Sequence, residues 1–375
     1  MSEPNRPHRL ESSIYKELGV KTVINAAGTF TEFGGSLMPP AVLAARSEAA
    51  KHFIDLRELQ DKVGQKLAAL LQVDSAMVTG GASSGILLGT AAAITLRDPE
   101  FIQRTPSVPF EVLRQTSHRD LYDRQIELCG VRIVDVETAD DVVQAVNDRT
   151  AMMLSYNVYE PQGQIDHAKW LSLAAQFDLP TLLDAAADTP PVENLWKFNR
   201  MGYDMVVYSG GKAIRGPQSS GLLLGRTDLI EAAKKNAVPN EGTVGRVAKV
   251  SKEDIVGLWK AVELFLDSGD DLFEQCERRI NTMQELLKPV RTLACRPIVP
   301  QIANHFPHLL LEWDERELGL TRSQLADRLK IGTPSIVTGR VYGTGDEGFL
   351  LSVVNLQEGE ASIVAQQIVR ILSGE

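Results

Sequence analysis

Between residues 76 and 225 short apolar runs alternate with helical stretches, and this rhythm leaves few folds open to the chain. Residues 131–136, 152–155, 180–184 and 204–209 are short and rich in large or β-branched apolar residues, as strands are, and stretches such as 167–177 between them carry helical spacing. Strands separated by helices at this interval build a mostly parallel sheet covered on both faces. The predicted class is therefore α/β, and functional residues are expected at the carboxyl ends of the strands.

The flanking sequence fills in the organisation. Residues 1–10 read as a loose arm of the kind that packs on a partner subunit, followed by a short helix from Glu11 and a strand near 23–29 that ends in a glycine turn. Leu56, Leu59, Val63, Leu67 and Leu70 recur at spacings of three and four, which predicts an amphipathic helix before a strand at 76–79. Two further amphipathic helices, 251–266 and 272–287, bridge to a region of short strands at 308–312, 336–339 and 349–354, with helices at 321–329 and 360–372. The expected domains are an N-terminal segment, 1–50, that contributes to the small domain; a large domain, 51–250; bridging helices, 251–288; and a small α+β domain, 289–375.

Composition narrows the function. A chain of 375 residues is long enough for one large domain and a smaller one, and its net charge of -10 opposes a broad nucleic-acid surface. The longest apolar run, 85–96, is interrupted by glycine and threonine and falls short of a membrane span, and no export signal is evident, so a cytoplasmic protein is expected. Cys129, Cys276 and Cys295 are scattered without metal-ligand spacing and read as reduced thiols; no metal site is expected.

Three features carry chemistry. The strand at 76–79 runs into Gly80, Gly81, Ala82, Ser83, Ser84 and Gly85 and then into a helical stretch, an arrangement that aims amide N–H groups at an anion; an ordinary glycine turn fits the same residues. It has neither the Gly-Lys-Ser/Thr of a P-loop nor the three spaced glycines of a dinucleotide site. Asp184 stands at a strand end. Lys212 lies on the Gly- and Ser-rich turn between the apolar runs 204–208 and 221–225, where it is either a solvated turn lysine or a desolvated amine able to form a Schiff base. An anion loop, a carboxylate and a lysine together suit pyridoxal phosphate, which needs a seat for its phosphate, an acidic partner for its pyridine nitrogen and an amine for its aldehyde. His118 is placed to lie flat against the ring, or is an ordinary loop histidine.

The segments 23–29, 78–85, 183–187, 209–218 and 245–253, above all Lys212 with the Gly-Pro-Gln that begins at Gly216, resemble the fold type I pyridoxal-phosphate enzymes over most of the chain. Within them the chain is similar to the group containing selenocysteine synthase and D-glucosaminate-6-phosphate ammonia-lyase, with 245–253 closer to the ammonia-lyase branch. The resemblance implies a large domain with a seven-stranded type of sheet and a small C-terminal domain. It implies Lys212 as Schiff-base lysine and proton carrier, Asp184 on the pyridine nitrogen, Gly80, Gly81, Ala82, Ser83 and Ser209 at the phosphate, His118 on the ring, and Thr243 at the phosphate from the partner subunit. Asn25, Gly28, Thr29, Arg246, Lys249 and Arg340 are the expected substrate-binding residues, Arg340 through a carboxylate; Arg246 and Lys249 read equally as a solvated charged turn. A homodimer or larger assembly with shared active sites is expected. So is α,β-elimination of a β-hydroxy amino acid or amino sugar acid, phosphorylated or not, to a 2-keto acid and ammonia. An amino-acid racemase or epimerase is the alternative, and selenium transfer on seryl-tRNA a further one.

Overall fold

The computed structural model describes residues 13–104, 108–269, 271–339 and 348–374. It divides into two compact units, the larger from Gly34–Asp270 with Ile302–His305, the smaller from Met1–Phe33, Asp271–Gln301 and Phe306–Glu375, in each case for the described residues. The division falls after Phe33, so the Pro40–Ala49 helix counts with the larger unit, and the Lys252–Ser268 and Asp271–Leu287 helices count with different units.

The first strand, β1 (Ile24–Ala26), belongs to the smaller unit. The larger is built on β2 (Ser75–Thr79), β3 (Glu111–Gln115), β4 (Arg132–Val136), β5 (Thr150–Tyr156), β6 (Thr181–Asp184), β7 (Met205–Ser209) and β8 (Gly221–Gly225), in the spatial order β2-β8-β7-β6-β5-β3-β4. Only β8 runs antiparallel to its neighbours; the remaining pairs are parallel. Alternate residues feed two separate cores. Val78, Leu183, Val206, Leu222 and Leu224 face one, and Met77, Leu182, Val207 and Leu223 the other. This two-sided burial explains why the strands read as continuous apolar runs.

The Leu56–Leu71 helix shows how local signals and packing combine. Asp55 caps it by accepting from the Arg57 and Glu58 amides at 2.8 and 3.3 Å, and Gln72 ends it in a left-handed turn. Such a cap is worth about 1 kcal/mol, whereas truncating buried Leu67 costs about 2–5 kcal/mol, so packing dominates. On the other face the Ala82–Arg97 helix lies flush on the sheet through its glycines: a Cβ on Gly85 would stand 2.9 Å from Val207 Cγ1, and one on Gly89 3.1 Å from Leu182 Cδ1. That close approach sets the helix start near the carboxyl end of β7.

In the smaller unit β9 (Ala294–Ile298), β10 (His308–Glu312) and β12 (Phe349–Ser352) form an antiparallel sheet in the order β12-β10-β9, while β11 (Ile336–Thr338) pairs in parallel with β1. The strands β3 and β9 are additions to those expected from sequence. Among the described residues no helix is long and apolar enough to cross a membrane.

Candidate active site

Lys212 lies on an eleven-residue excursion between β7 and β8, longer and more folded than a tight hairpin turn. The loop closes on itself: the Gly210 amide donates to Ser220 O at 2.8 Å, Gly216 to Gly210 O at 2.8 Å and Arg215 to Lys212 O at 2.9 Å. Ser36 Oγ donates to the Gly211 and Lys212 carbonyls at 3.0 and 2.8 Å, fixing the lysine's backbone from outside the loop. Two glycines are needed for this fit, since a Cβ on Gly35 would stand 2.5 Å from Gly211 O and one on Gly211 2.5 Å from Gln218 Cα.

Asp184 ends β6, next to β7, where it pairs in register with Val207. It accepts the Ala186 amide at 2.8 Å. Burial holds its proton, pushing its pKa up to about 6, while the Ala186 amide and the charge of Lys212 pull it down and Asp188 and Asp120 push it up. Burial likewise depresses the pKa of Lys212, against the attraction of Asp184, Asp188 and Asp120. A desolvated amine among carboxylates is what a Schiff-base lysine requires.

The loop after β2 offers the anion seat. Gly81 precedes the sixteen-residue Ala82–Arg97 helix at φ 98°, a conformation that suits glycine, and among the described residues no side chain caps the helix start. The first-turn amides and the positive end of the helix dipole are therefore left for an outside acceptor. Thr79 Oγ1 donates to Gly81 O and Ser84 Oγ to Gly80 O, both at 2.8 Å, which ties the loop down. The space where a Gly81 Cβ would stand is open, its nearest neighbour being Ser83 Oγ at 4.0 Å, whereas Gly221 of β8 is pressed against the loop, its would-be Cβ 2.5 Å from Gly81 C. A phosphate fits this cradle. Ser209 ends β7 and its amide donates to Ala186 O at 3.3 Å.

His118 is buried, 1% exposed, in the turn after β3. Its Nδ1 accepts the Tyr156 amide at 3.2 Å, so Nε2 carries the hydrogen, and that atom is buried with no partner among the described residues. Burial drives its pKa down to about 4, leaving a neutral ring with one donor to offer. Thr243 is buried and donates to Asn240 O at 3.3 Å. It borders a cavity of about 390 Å³ shared with Lys235 and Gln103, which includes neither Lys212 nor Asp184. Arg246 and Lys249 are exposed, but the turn that bears them abuts the anion loop, a Gly80 Cβ falling 3.2 Å from Ala248 O and 3.3 Å from Lys249 O.

The remaining expected substrate residues divide differently. Asn25, Gly28 and Thr29 belong to the smaller unit. The Asn25 side chain is engaged in its own turn, Oδ1 accepting the Ala27 and Gly28 amides at 3.0 and 3.1 Å and Nδ2 donating to Gly28 O at 2.9 Å. Arg340 lies outside the described residues. Sequence reading passed over Asp188, buried four positions beyond Asp184, and Asp120, whose carboxylate takes the Tyr159 hydroxyl at 2.7 Å. Recurrence of aspartate around the 183–187 segment is the one signal that points to Asp188. Among the described residues no group of three or more His, Cys, Asp or Glu side chains is arranged to hold a metal ion.

The fold is that of the fold type I pyridoxal-phosphate-dependent enzymes, and in it a lysine on the loop after β7 and a carboxylate at the end of the adjacent β6 stand beside a helix start without a side-chain cap. The sequence profile of the L-seryl-tRNA selenium transferase (SelA) family matches residues 123–298. The chain is 28% identical over 370 residues to D-glucosaminate-6-phosphate ammonia-lyase of Salmonella typhimurium, covering 95% of this chain and 97% of that one. It is also 28% identical to a 5'-C-glycyluridine monooxygenase-decarboxylase from a Streptomyces species, over 86% of this chain and 83% of that one. A solved structure of D-glucosaminate-6-phosphate ammonia-lyase superimposes with a TM-score of 0.82 at 27% identity, covering 97% and 99% of the two chains. The chain is thus similar in sequence and fold to the group that holds selenocysteine synthase and D-glucosaminate-6-phosphate ammonia-lyase.

Proposed function

We propose that this chain binds pyridoxal phosphate and catalyses α,β-elimination on a β-hydroxy amino acid or amino sugar acid, releasing a 2-keto acid and ammonia. The observation that carries the proposal is the meeting of Lys212, Asp184 and the uncapped Ala82–Arg97 helix start at one end of the large sheet. The first-turn amides at Ala82 and Ser83, with the Ser83 and Ser209 hydroxyls, would hold the phosphate. Asp184 would pair with the pyridine nitrogen, and the neutral ring of His118 would pack against the cofactor. When bound, the cofactor supplies an electron sink for negative charge at the substrate α carbon. Lys212 Nζ takes the α proton, and its ammonium form then protonates the departing β-hydroxyl, so that water leaves as the α–β double bond forms. Hydrolysis of the released enamine yields the keto acid and ammonia. Arg246 and Lys249 orient an anionic group of the substrate, as does Arg340.

A homodimer or larger assembly in the cytoplasm is part of the proposal, with Thr243 reaching the partner's phosphate seat; light scattering at micromolar protein measures the assembly. The purified protein is expected to be yellow, and borohydride is expected to trap an adduct on Lys212 that Lys212→Ala loses. A colourless protein without an adduct overturns the cofactor reading. Ammonia and keto-acid release is expected with at least one member of a panel of D- and L-β-hydroxy amino acids and amino sugar acids, each with and without phosphate. Enantiomer exchange without ammonia is the racemase outcome, and oxygen uptake with carbon dioxide release the outcome matching the Streptomyces relative. The selenium-transferase match over 123–298 makes transfer-RNA retention at physiological salt the remaining arm; the charge of -10 predicts no retention.

A further inference from the structure

Four residues beyond Asp184 stands a buried carboxylate for which elimination chemistry has no assigned use. Asp188 is 4% exposed, and its Oδ1 accepts from Asn157 Nδ2 at 2.8 Å and from the Ala303 amide at 3.1 Å. The other end of Asn157 faces His167, with Oδ1 3.1 Å from Nε2, and His167 Nδ1 lies 2.7 Å from the Tyr203 hydroxyl. The direction of this chain follows from donor chemistry alone. A carboxylate accepts, so the Asn157 amide nitrogen donates to Asp188 and its Oδ1 must accept; His167 therefore carries its hydrogen on Nε2, and in the neutral ring Nδ1 accepts from Tyr203. Every donor points toward Asp188.

A chain of dipoles aligned one way favours negative charge at its end, and each bond strengthens the next. We propose that Asp188 is a positioning residue, kept ionised by the Tyr203–His167–Asn157 chain, that governs when Lys212 carries its proton. Lys212 and Asp188 act on each other electrostatically. The other charged groups facing Lys212 are Asp184 and Asp120; Lys197 faces Asp188; and Glu160, Asp166 and Lys197 face His167. Tyr208, also near Asp188, donates its hydroxyl to Asn194 O, and Asn194 Nδ2 donates to Asp188 O at 2.6 Å. Burial raises the pKa of Asp188, and Asn157, the Ala303 amide and Lys212 oppose that rise. The role rests on the proposed cofactor site, for once the pyridine nitrogen engages Asp184, Asp188 and Asp120 are the carboxylates left to answer Lys212, and Asp188 is the one held by the Asn157 chain.

Competitive acetylation of the cofactor-free protein across pH, read lysine by lysine by mass spectrometry, tests this, with Lys234 as the reference lysine remote from Asp188. In Asp188→Asn the Lys212 midpoint is expected to fall by about one pH unit, giving roughly tenfold faster labelling below both midpoints. Tyr203→Phe is expected to move it less in the same direction, and Asp188→Glu to restore it in part. A Lys212 midpoint that stays in place or rises in folded Asp188→Asn overturns the proposal; if that variant does not fold, an unmoved midpoint in Tyr203→Phe overturns it instead. The borohydride adduct is scored separately. An adduct with an unmoved midpoint removes Asp188 alone, and a moved midpoint without an adduct removes the cofactor reading and leaves the Asp188–Lys212 coupling standing.

Discussion

Asp184 and Lys212 each sit in surroundings that penalise their own charge, so the site carries a stability cost that its ligand would relieve. With its pKa pushed up to about 6, Asp184 opposes folding whenever the pH exceeds that value. Asp184→Asn keeps an acceptor for the Ala186 amide and removes the buried charge. It is expected to stabilise the cofactor-free chain at pH 7 by on the order of 1–3 kcal/mol, read by urea denaturation, while cutting cofactor affinity at least tenfold. Equal or lower stability in the variant contradicts the assignment of burial as the dominant cause. Lys212 and Asp184 were legible because each interrupts small or apolar sequence next to a strand end. Asp188, Asn157 and His167 were not, because nothing in their spacing announces a hydrogen-bond chain that only the tertiary fold assembles.

At the scale of elements, the anion seat depends on backbone meeting backbone. Gly221→Ala would place a Cβ 2.5 Å from Gly81 C and 2.8 Å from Ala82 N, neither of which is the end of a flexible side chain. The variant is expected to lose about 1–3 kcal/mol of stability and at least tenfold in cofactor affinity, the latter followed by fluorescence titration. Unchanged affinity would mean that β8 does not shape the loop. The strands next to this seat were plain in the sequence because both of their faces are buried. β3 was hidden by its own charges: all five residues are buried, yet Glu111 reads as surface until Arg132, Arg149 and Asn147 are seen to meet it at 2.7 to 2.9 Å, and Arg114 until Asp123 and Asp135 pair with it. β9 is an edge strand that tolerates Pro297, which broke its pattern.

Over the whole molecule, two site groups, buried His118 and half-buried Asp184, titrate with opposite signs. His118, with its pKa pushed down from 6.5 to about 4, lends stability that is complete above pH 6.5 and lost as the pH falls toward 4. Asp184, raised from 3.8 to about 6, lends stability that is complete below 3.8 and lost as the pH rises through 6. The windows overlap, so the two slopes offset one another in the cofactor-free protein. In Asp184→Asn the His118 slope is expected to emerge, with urea midpoints falling more steeply between pH 6.5 and 4 than in the unaltered chain; parallel profiles would contradict it.

The four residues Ile302–His305 belong to the larger unit although the sequence on either side of them belongs to the smaller. Within them the Ala303 amide binds Asp188 and the Asn304 amide binds Ala187 O at 2.7 Å, both just beyond β6. During synthesis on the ribosome, then, the larger unit has its whole sheet long before it has these two donors. A fragment ending at Ser268 would carry Lys212, Asp184 and the anion loop, but it would leave the segment behind Asp184 without the amides that pin it. The piece of chain that looks like a free-standing catalytic domain is thus completed by a strap delivered some thirty residues later.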